Sequence, residues 1–196
     1  MPTPKIMKKI RELENAGKKE EAKALLLSEA DSGDADAQGI LGNQYFMGNS
    51  LFEKDYEKAF WYSEKAAENG NAMGKHTLGI LYLYGYGVPA DTKRAVQLLR
   101  EASDSGEMKS PRYLGLCYLD GLDGSVDYEK ALEWFRKGAE LGDITSQYYL
   151  GKMYEEGLGT ESSLKTAVYW YRKAAVRKDH VGKPANDALA RLGVEA

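Results

Sequence analysis

The sequence has a single cysteine and only two histidines among its 196 residues. Cys117 therefore has no partner for a disulfide bond within the chain. No stretch approaches the roughly 20 apolar residues that a membrane-spanning helix needs. No run of Lys and Arg is long enough to hold the phosphates of a nucleic acid. We therefore expect neither a membrane segment nor a nucleic-acid partner.

The N-terminal segment, MPTPKIMKKIRELEN, also lacks an apolar stretch of signal-peptide length, because charges recur every few residues. Together with the single cysteine, this predicts a cytoplasmic protein. The apolar share of 43% is sufficient for a real core and excludes wholesale disorder.

Glycine and tyrosine, by contrast, are abundant, with 21 and 14 copies, and both recur with a period of 36 residues that is lengthened to 37 between the first two repeats. The key alanines of this period are Ala59, Ala95, Ala131 and Ala167. Leu-Gly pairs begin at residues 41, 78, 114 and 150, each followed by a tyrosine four residues after the leucine and a glycine seven residues after it. Regular recurrence of this kind indicates a repeat protein.

Each repeat predicts two helices, which we call helix A and helix B, joined by a glycine turn. Helix A places its leucine, the adjacent glycine and the tyrosine on one face. Since that glycine costs about 1 kcal/mol relative to alanine in a helix interior, we expect it to permit close approach of a neighbouring helix. Helix B follows an N-cap residue and ends at a glycine. The predicted caps are Asp55, Asp91, Asp127 and Ser163, and the glycines are Gly70, Gly106 and Gly142.

The repeat register divides the chain into an N-terminal cap with a half-repeat, four repeats and a C-terminal cap. The predicted boundaries are 1–34, 35–70, 71–106, 107–142, 143–178 and 179–196. We expect capping helices at Ile6–Ala16 and Pro184–Leu192, and a single cooperative array. In repeat four, Lys178 replaces the glycine that ends helix B elsewhere.

The motif A-x3-LG-x2-Y-x2-G, followed by D-x2-KA-x2-W-x2-KAA-x2-G, resembles the Sel1-like repeat, a relative of the tetratricopeptide repeat. The resemblance covers about residues 35–178, although Leu98 and Leu99 replace the usual aromatic residues of helix B. It implies an all-α fold, in which αα-hairpins stack into a right-handed solenoid or superhelix with terminal caps. It also implies a scaffold or adaptor that binds other proteins, with no catalytic residues.

The candidates for catalytic, phosphate-binding or metal-binding residues have structural explanations. Cys117 lies within helix A, where a buried cysteine acts as a small apolar residue. A nucleophile would need a nearby base, and His76 lies on a different face of its helix. Gly85-Tyr86-Gly87 and Gly157-Leu158-Gly159 resemble phosphate-loop fragments but lack the GK[ST] signature, so we interpret them as turns. Acidic residues at helix ends are interpreted as solvated: Asp120, Asp123, Glu155 and Glu156. We expect no metal, no cofactor and no enzymatic activity.

The face of helix A opposite the leucine is the candidate binding surface, because helix A lines the concave wall in a superhelix of this kind. Its apolar positions predict a stripe of Phe46, Ile80, Leu83, Leu116 and Leu119, bordered by His76, Tyr84, Arg112 and Tyr148. An exposed apolar patch commonly marks an interaction site. The alternative is that these side chains pack against the neighbouring helix A or are covered by the terminal segments.

The predicted function is a monomeric interaction scaffold that grips a helix or an extended peptide of another protein in its concave groove. A second reading is a dedicated inhibitor or immunity protein, similar to an antitoxin, that covers the active site of an enzyme. A hydrolase is the remote alternative. The sequence does not identify the partner.

Overall fold

The computed structural model describes residues 5–122, 124–176 and 180–195. Within these ranges the chain forms eleven α-helices and no strand, as predicted for an all-α protein. None of these helices is both long and apolar enough to cross a membrane. The chain divides into two compact units, Met1–Glu107 and Met108–Ala196, and each is described by itself.

The first unit consists of helical hairpins that pack side by side. Its helices are α1 (Lys5–Asn15), α2 (Lys19–Asp31), α3 (Ala35–Met47), α4 (Tyr56–Glu68), α5 (Ala72–Tyr84) and α6 (Thr92–Asp104). Helices α3 and α4 form one hairpin, α5 and α6 form the next, and α5 also packs against both α3 and α4. A helix is present where one was predicted over Ile6–Ala16; it is α1, which packs against α2.

The second unit repeats this arrangement with two further hairpins and a final helix. Its helices are α7 (Ser110–Leu119), α8 (Tyr128–Glu140), α9 (Ile144–Glu156), α10 (Leu164–Ala174) and α11 (Lys183–Arg191). Helix α11 packs against α10 and confirms the helix predicted over Pro184–Leu192. Lys178 and Asp123 lie outside the described residues.

The glycine that follows each helix-A leucine lies against helix B of the same hairpin. A Cβ atom at Gly115 would lie 2.7 Å from ring carbons of Phe135, and one at Gly79 would lie 2.9 Å from Cγ of Leu99. A Cβ atom at Gly151 would likewise lie 2.7 Å from the ring of Tyr171. Since any side chain would collide here, close helix packing explains the glycine, as predicted.

The start of each helix B is fixed by its N-cap, as predicted. The Asp91 side chain accepts a hydrogen bond from the backbone N–H of Arg94 at 3.0 Å, and the other three predicted caps accept equivalent bonds. The backbone N–H of Asp91 also donates to the carbonyl of Tyr82 at 2.9 Å, a bond that recurs in all four repeats. The cap therefore ties helix B to the tyrosine of helix A.

Candidate protein-binding surfaces

Three of the nine residues predicted for the open wall are buried. They are His76, Ile80 and Leu83, all on α5 of the first unit. Helix α5 packs against α3, α4 and α6, and ten of its 13 residues are buried. The expectation that these three side chains face an open groove is therefore wrong, and the packing alternative accounts for them. The helical wheel assumed one buried face, whereas α5 has several.

The other two predicted residues of the first unit, Phe46 and Tyr84, belong to a group of aromatic rings that we call the tyrosine cluster (Phe46, Tyr56, Tyr84 and Tyr86). Tyr56 and Tyr86 stack with ring centroids 4.8 Å apart and planes inclined by 8°. The ring centroid of Tyr86 lies 6.3 Å from that of Phe46 and 5.7 Å from that of Tyr84. Tyr84 is 44% exposed and Tyr86 is 38% exposed, so the cluster presents aromatic surface to solvent.

The loop after α5 builds the tyrosine cluster. Gly85 ends the helix in the left-handed conformation, and Gly87 also has a positive φ of 69°. A Cβ atom at Gly87 would lie 2.8 Å from the carbonyl oxygen of Tyr56, so only glycine allows this approach. The loop is therefore a turn, as interpreted from the sequence. The structure adds that this turn packs on the start of α4.

Sequence reasoning missed Tyr56 and Tyr86, because neither lies on helix A. Tyr56 begins helix B of repeat one, and Tyr86 lies in the loop of repeat two. The available signal was the Tyr-Gly-Tyr-Gly sequence at residues 84–87, which places two aromatic side chains around a turn.

In the second unit, the predicted residues of α7 are partly engaged in packing. Leu116 and Leu119 are half-buried against the core that contains Phe135. The Arg112 guanidinium forms an ion pair with Asp143 at 3.2 Å and lies 4.8 Å from the ring centroid of Tyr113. Because Asp143 also caps α9, Arg112 connects α7 to the start of that helix.

Tyr148, the last predicted residue, lines a pocket of about 430 Å³ at the end of the second unit, which we call the terminal pocket. Glu155 lies in the same pocket and accepts a hydrogen bond from the hydroxyl of Tyr171 at 2.7 Å. Glu155 also pairs with Arg191 of α11 at 2.7 Å, and its side chain is only 14% exposed. The interpretation of Glu155 as a solvated helix end is therefore wrong.

The electrostatics of the terminal pocket favour the ionised form of Glu155. The hydrogen bond from Arg191 is the main cause that lowers the pKa of Glu155, and the Tyr171 hydroxyl lowers it further. Burial is the main cause that raises the pKa of Tyr171, and its bond to Glu155 adds to this. The tyrosine therefore stays a neutral donor to a carboxylate, and the arrangement holds α11 against the fourth repeat.

The structure offers packing explanations for the residues that were candidates for catalysis or metal binding. Cys117 is fully buried in α7, which fits its interpretation as a packed apolar residue. Across the described ranges, no three or more His, Cys, Asp or Glu side chains are grouped so that they could hold a metal ion. The features that the geometry offers are exposed aromatic and apolar surfaces, which suit recognition of another protein.

Four consecutive Sel1 repeats match residues 35–71, 74–107, 112–143 and 144–175. The chain belongs to the Sel1 repeat family. A solved Sel1 repeat protein from Oxalobacter formigenes is similar, with a TM-score of 0.80 and 26% identity over 95% of this chain and 76% of that protein. A protective antigen present in uropathogenic Escherichia coli strains gives a TM-score of 0.74 at 33% identity, over 88% of this chain and 37% of the antigen.

A plant protein shares part of the sequence. HRD3B, described as a component of an ERAD-associated E3 ubiquitin-protein ligase from Arabidopsis thaliana, is 42% identical over 55 residues. That match spans 28% of this Sel1 repeat protein and 9% of the plant protein. Sel1 repeat proteins generally serve as scaffolds for protein interactions, and the family is typically non-catalytic.

Proposed function

We propose that this Sel1 repeat protein is a scaffold or adaptor that binds a helix or an extended peptide of a partner protein. Each unit has a candidate surface of its own, formed by the predicted wall residues that are not buried. In the first unit these are Phe46 and Tyr84, which belong to the tyrosine cluster, and in the second unit they are Arg112, Leu116, Leu119 and Tyr148. His76, Ile80 and Leu83 are buried, so they are not part of the proposed surface.

The tyrosine cluster is the observation that supports this proposal most directly. Aromatic side chains provide large contact areas at low cost in conformational entropy, and they are enriched among the residues that dominate binding energy. Here four rings contact one another, so their positions are fixed before a partner arrives. Because rigid side chains lose little freedom on binding, such a cluster is suited to anchor a peptide.

The test begins with purification of the protein together with its native partner from the source cells, followed by calorimetry with the purified partner. The variant Tyr84→Ser with Tyr86→Ser removes the most exposed part of the cluster. We expect it to weaken binding by about 2 kcal/mol or more, as for residues that dominate an interface. The melting temperature should change little, because both side chains are exposed.

The matched control is Trp61→Ser on α4. Trp61 has the same exposed fraction as Tyr84, 44%, but contacts Tyr62 and Lys65 instead of the cluster. The control should bind the partner normally. The proposal fails if the control and the double variant lose binding equally, or if the double variant binds as tightly as the natural protein.

A dedicated inhibitor uses the same kind of surface, and stoichiometry separates the two roles. An inhibitor forms one tight complex with one enzyme and abolishes its activity, whereas an adaptor binds several partners more weakly. We also propose that the protein is a monomer and that it is located in the cytoplasm. Sedimentation of the purified chain tests the first point, and fractionation of the source cells tests the second.

A further inference from the structure

A second surface lies on helix α10 and the two residues that follow it, and it shares no residue with the surfaces proposed above. Its apolar members are Leu164, Val168, Tyr169 and Val176, and its basic members are Lys165, Arg172 and Lys173. We call this surface the α10 face. It lines a shallow groove of about 670 Å³, and Leu164, Tyr169 and Val176 are 57%, 52% and 80% exposed.

The helical geometry separates the α10 face from the packed side of the same helix. Ala167, Tyr171 and Ala174 are buried and face α9 and α11. At 100° per residue, Lys165, Tyr169, Arg172 and Lys173 lie on the opposite half of the wheel. Leu164 is the first residue of the helix and Val176 follows its end at Ala174, so the two exposed apolar side chains lie at the two ends of the helix. The helix is thus held firmly by one side while the other presents alternating apolar and basic groups.

The other repeats show that this composition is not imposed by the fold. In the same register, Val176 corresponds to Glu68, Asp104 and Glu140. Tyr169 corresponds to Trp61 in repeat one but to Gln97 and Glu133 in repeats two and three. Helix α8 carries three acidic and three basic residues, whereas α10 carries three basic residues and no acidic one. Lys93, Arg136 and Lys137 show that basic residues recur at these positions in other repeats. The distinguishing feature of α10 is therefore that no acidic residue accompanies them and that an exposed valine takes the place of an acid.

We propose that the α10 face binds an acidic amphipathic helix of a partner protein. Carboxylates spaced along such a helix would meet Lys165 and Arg172, while its apolar residues would cover Leu164 and Val176. The Lys173 ammonium lies 4.8 Å from the ring centroid of Tyr169 and 5.0 Å from that of Trp170, so it also faces this surface. A membrane fits this surface less well than a helix. The three basic residues would each contribute only roughly 1 kcal/mol of attraction to an anionic membrane, and the surface is a groove rather than a protrusion that could insert into a bilayer.

The experiment selects binders from a displayed library of 16-residue helical peptides in which every outward position varies. Selection uses the full chain, and counter-selection uses the charge-reversed variant Lys165→Glu with Arg172→Glu. We expect enriched peptides to carry regularly spaced Asp or Glu among apolar residues. An enriched peptide should bind the charge-reversed variant at least tenfold more weakly than the natural chain. Its affinity for the natural chain should also fall as salt is raised.

The matched control is Lys93→Glu, at the position of repeat two that corresponds to Lys165. Lys93 is exposed, but its register companions are Gln97 and Asp104 rather than apolar residues. It should bind the selected peptide as the natural chain does, while Leu164→Ser with Val176→Ser should bind it several-fold more weakly.

Four results would overturn the proposal. The first is a selection that enriches no peptide, and the second is one that enriches peptides without acidic residues. The third is binding of the natural chain to vesicles of phosphatidylserine and phosphatidylcholine that Lys165→Glu with Arg172→Glu abolishes, which assigns the face to a membrane. The fourth is a dimer in sedimentation that the same variant dissociates, which assigns the face to a second copy. Circular dichroism of each variant verifies that it is folded.

Discussion

Replacement of Gly115 by alanine separates two opposing effects of the repeat glycine. In an isolated helix the change would stabilise, because alanine is favoured over glycine by about 1 kcal/mol. In the folded protein the new Cβ atom would lie 2.7 Å from ring carbons of Phe135, well inside van der Waals contact.

The ring of Phe135 has little freedom to move away. Phe135 is fully buried and stacks on Tyr149, with ring centroids 4.9 Å apart and planes inclined by 9°. Overpacking of this kind costs typically about 1–3 kcal/mol. After the gain of about 1 kcal/mol from helix propensity, we expect Gly115→Ala to lower the free energy of unfolding by up to roughly 2 kcal/mol.

A double-mutant cycle tests the cause directly. Phe135→Ala removes the ring and costs about 3–5 kcal/mol by itself. In that background Gly115→Ala should be neutral or stabilising by up to about 1 kcal/mol, since only the propensity gain remains. The free energy of unfolding is measured by urea denaturation, followed by circular dichroism. If Gly115→Ala stabilises the natural chain as much as it stabilises the Phe135→Ala variant, the close-packing explanation is refuted.

Two further predictions concern the buried Leu83 and the ion-paired Glu155. Leu83→Ala should lower the free energy of unfolding by about 2–5 kcal/mol, because Leu83 is buried; a loss below 1 kcal/mol in urea denaturation would place it on an open wall instead. Glu155→Gln should lower the melting temperature at pH 7, where Glu155 is ionised and bound to Arg191. The pKa of Glu155 is lower in the folded state than in the unfolded state. Its contribution to folding stability is therefore fully present above the pKa of the unfolded state, about 4.3, and is lost as the pH falls through the pKa of the folded state. The difference between this variant and the natural chain should therefore shrink in acid, and a difference that stays constant with pH would contradict the ion pair.

Much of the local structure was predictable, because the signals act within a few residues of one another. Asp91 could be recognised as a cap because an N-cap side chain bonds to a backbone N–H in the first turn of its own helix. Gly115 could be recognised as a packing glycine because it recurs at one helical position in every repeat. Repetition supplied four independent copies of each signal.

The candidate site was less predictable, because exposure depends on every element that surrounds a helix. The wheel placed Leu83 opposite the core face, but α5 has neighbours on several sides and buries it. Tyr86 joins Tyr56 only because a loop folds back over a preceding helix. Glu155 meets Arg191, a residue 36 positions away, only when α11 docks on the fourth repeat.

The sequence by itself determined the helices, their caps and the small residues at helix contacts, since these depend on backbone hydrogen bonds and on steric space next to glycine. Tertiary structure alone decided which side chains remain accessible to a partner. A helix face is open or closed according to what packs against it, and that information is carried by other parts of the chain.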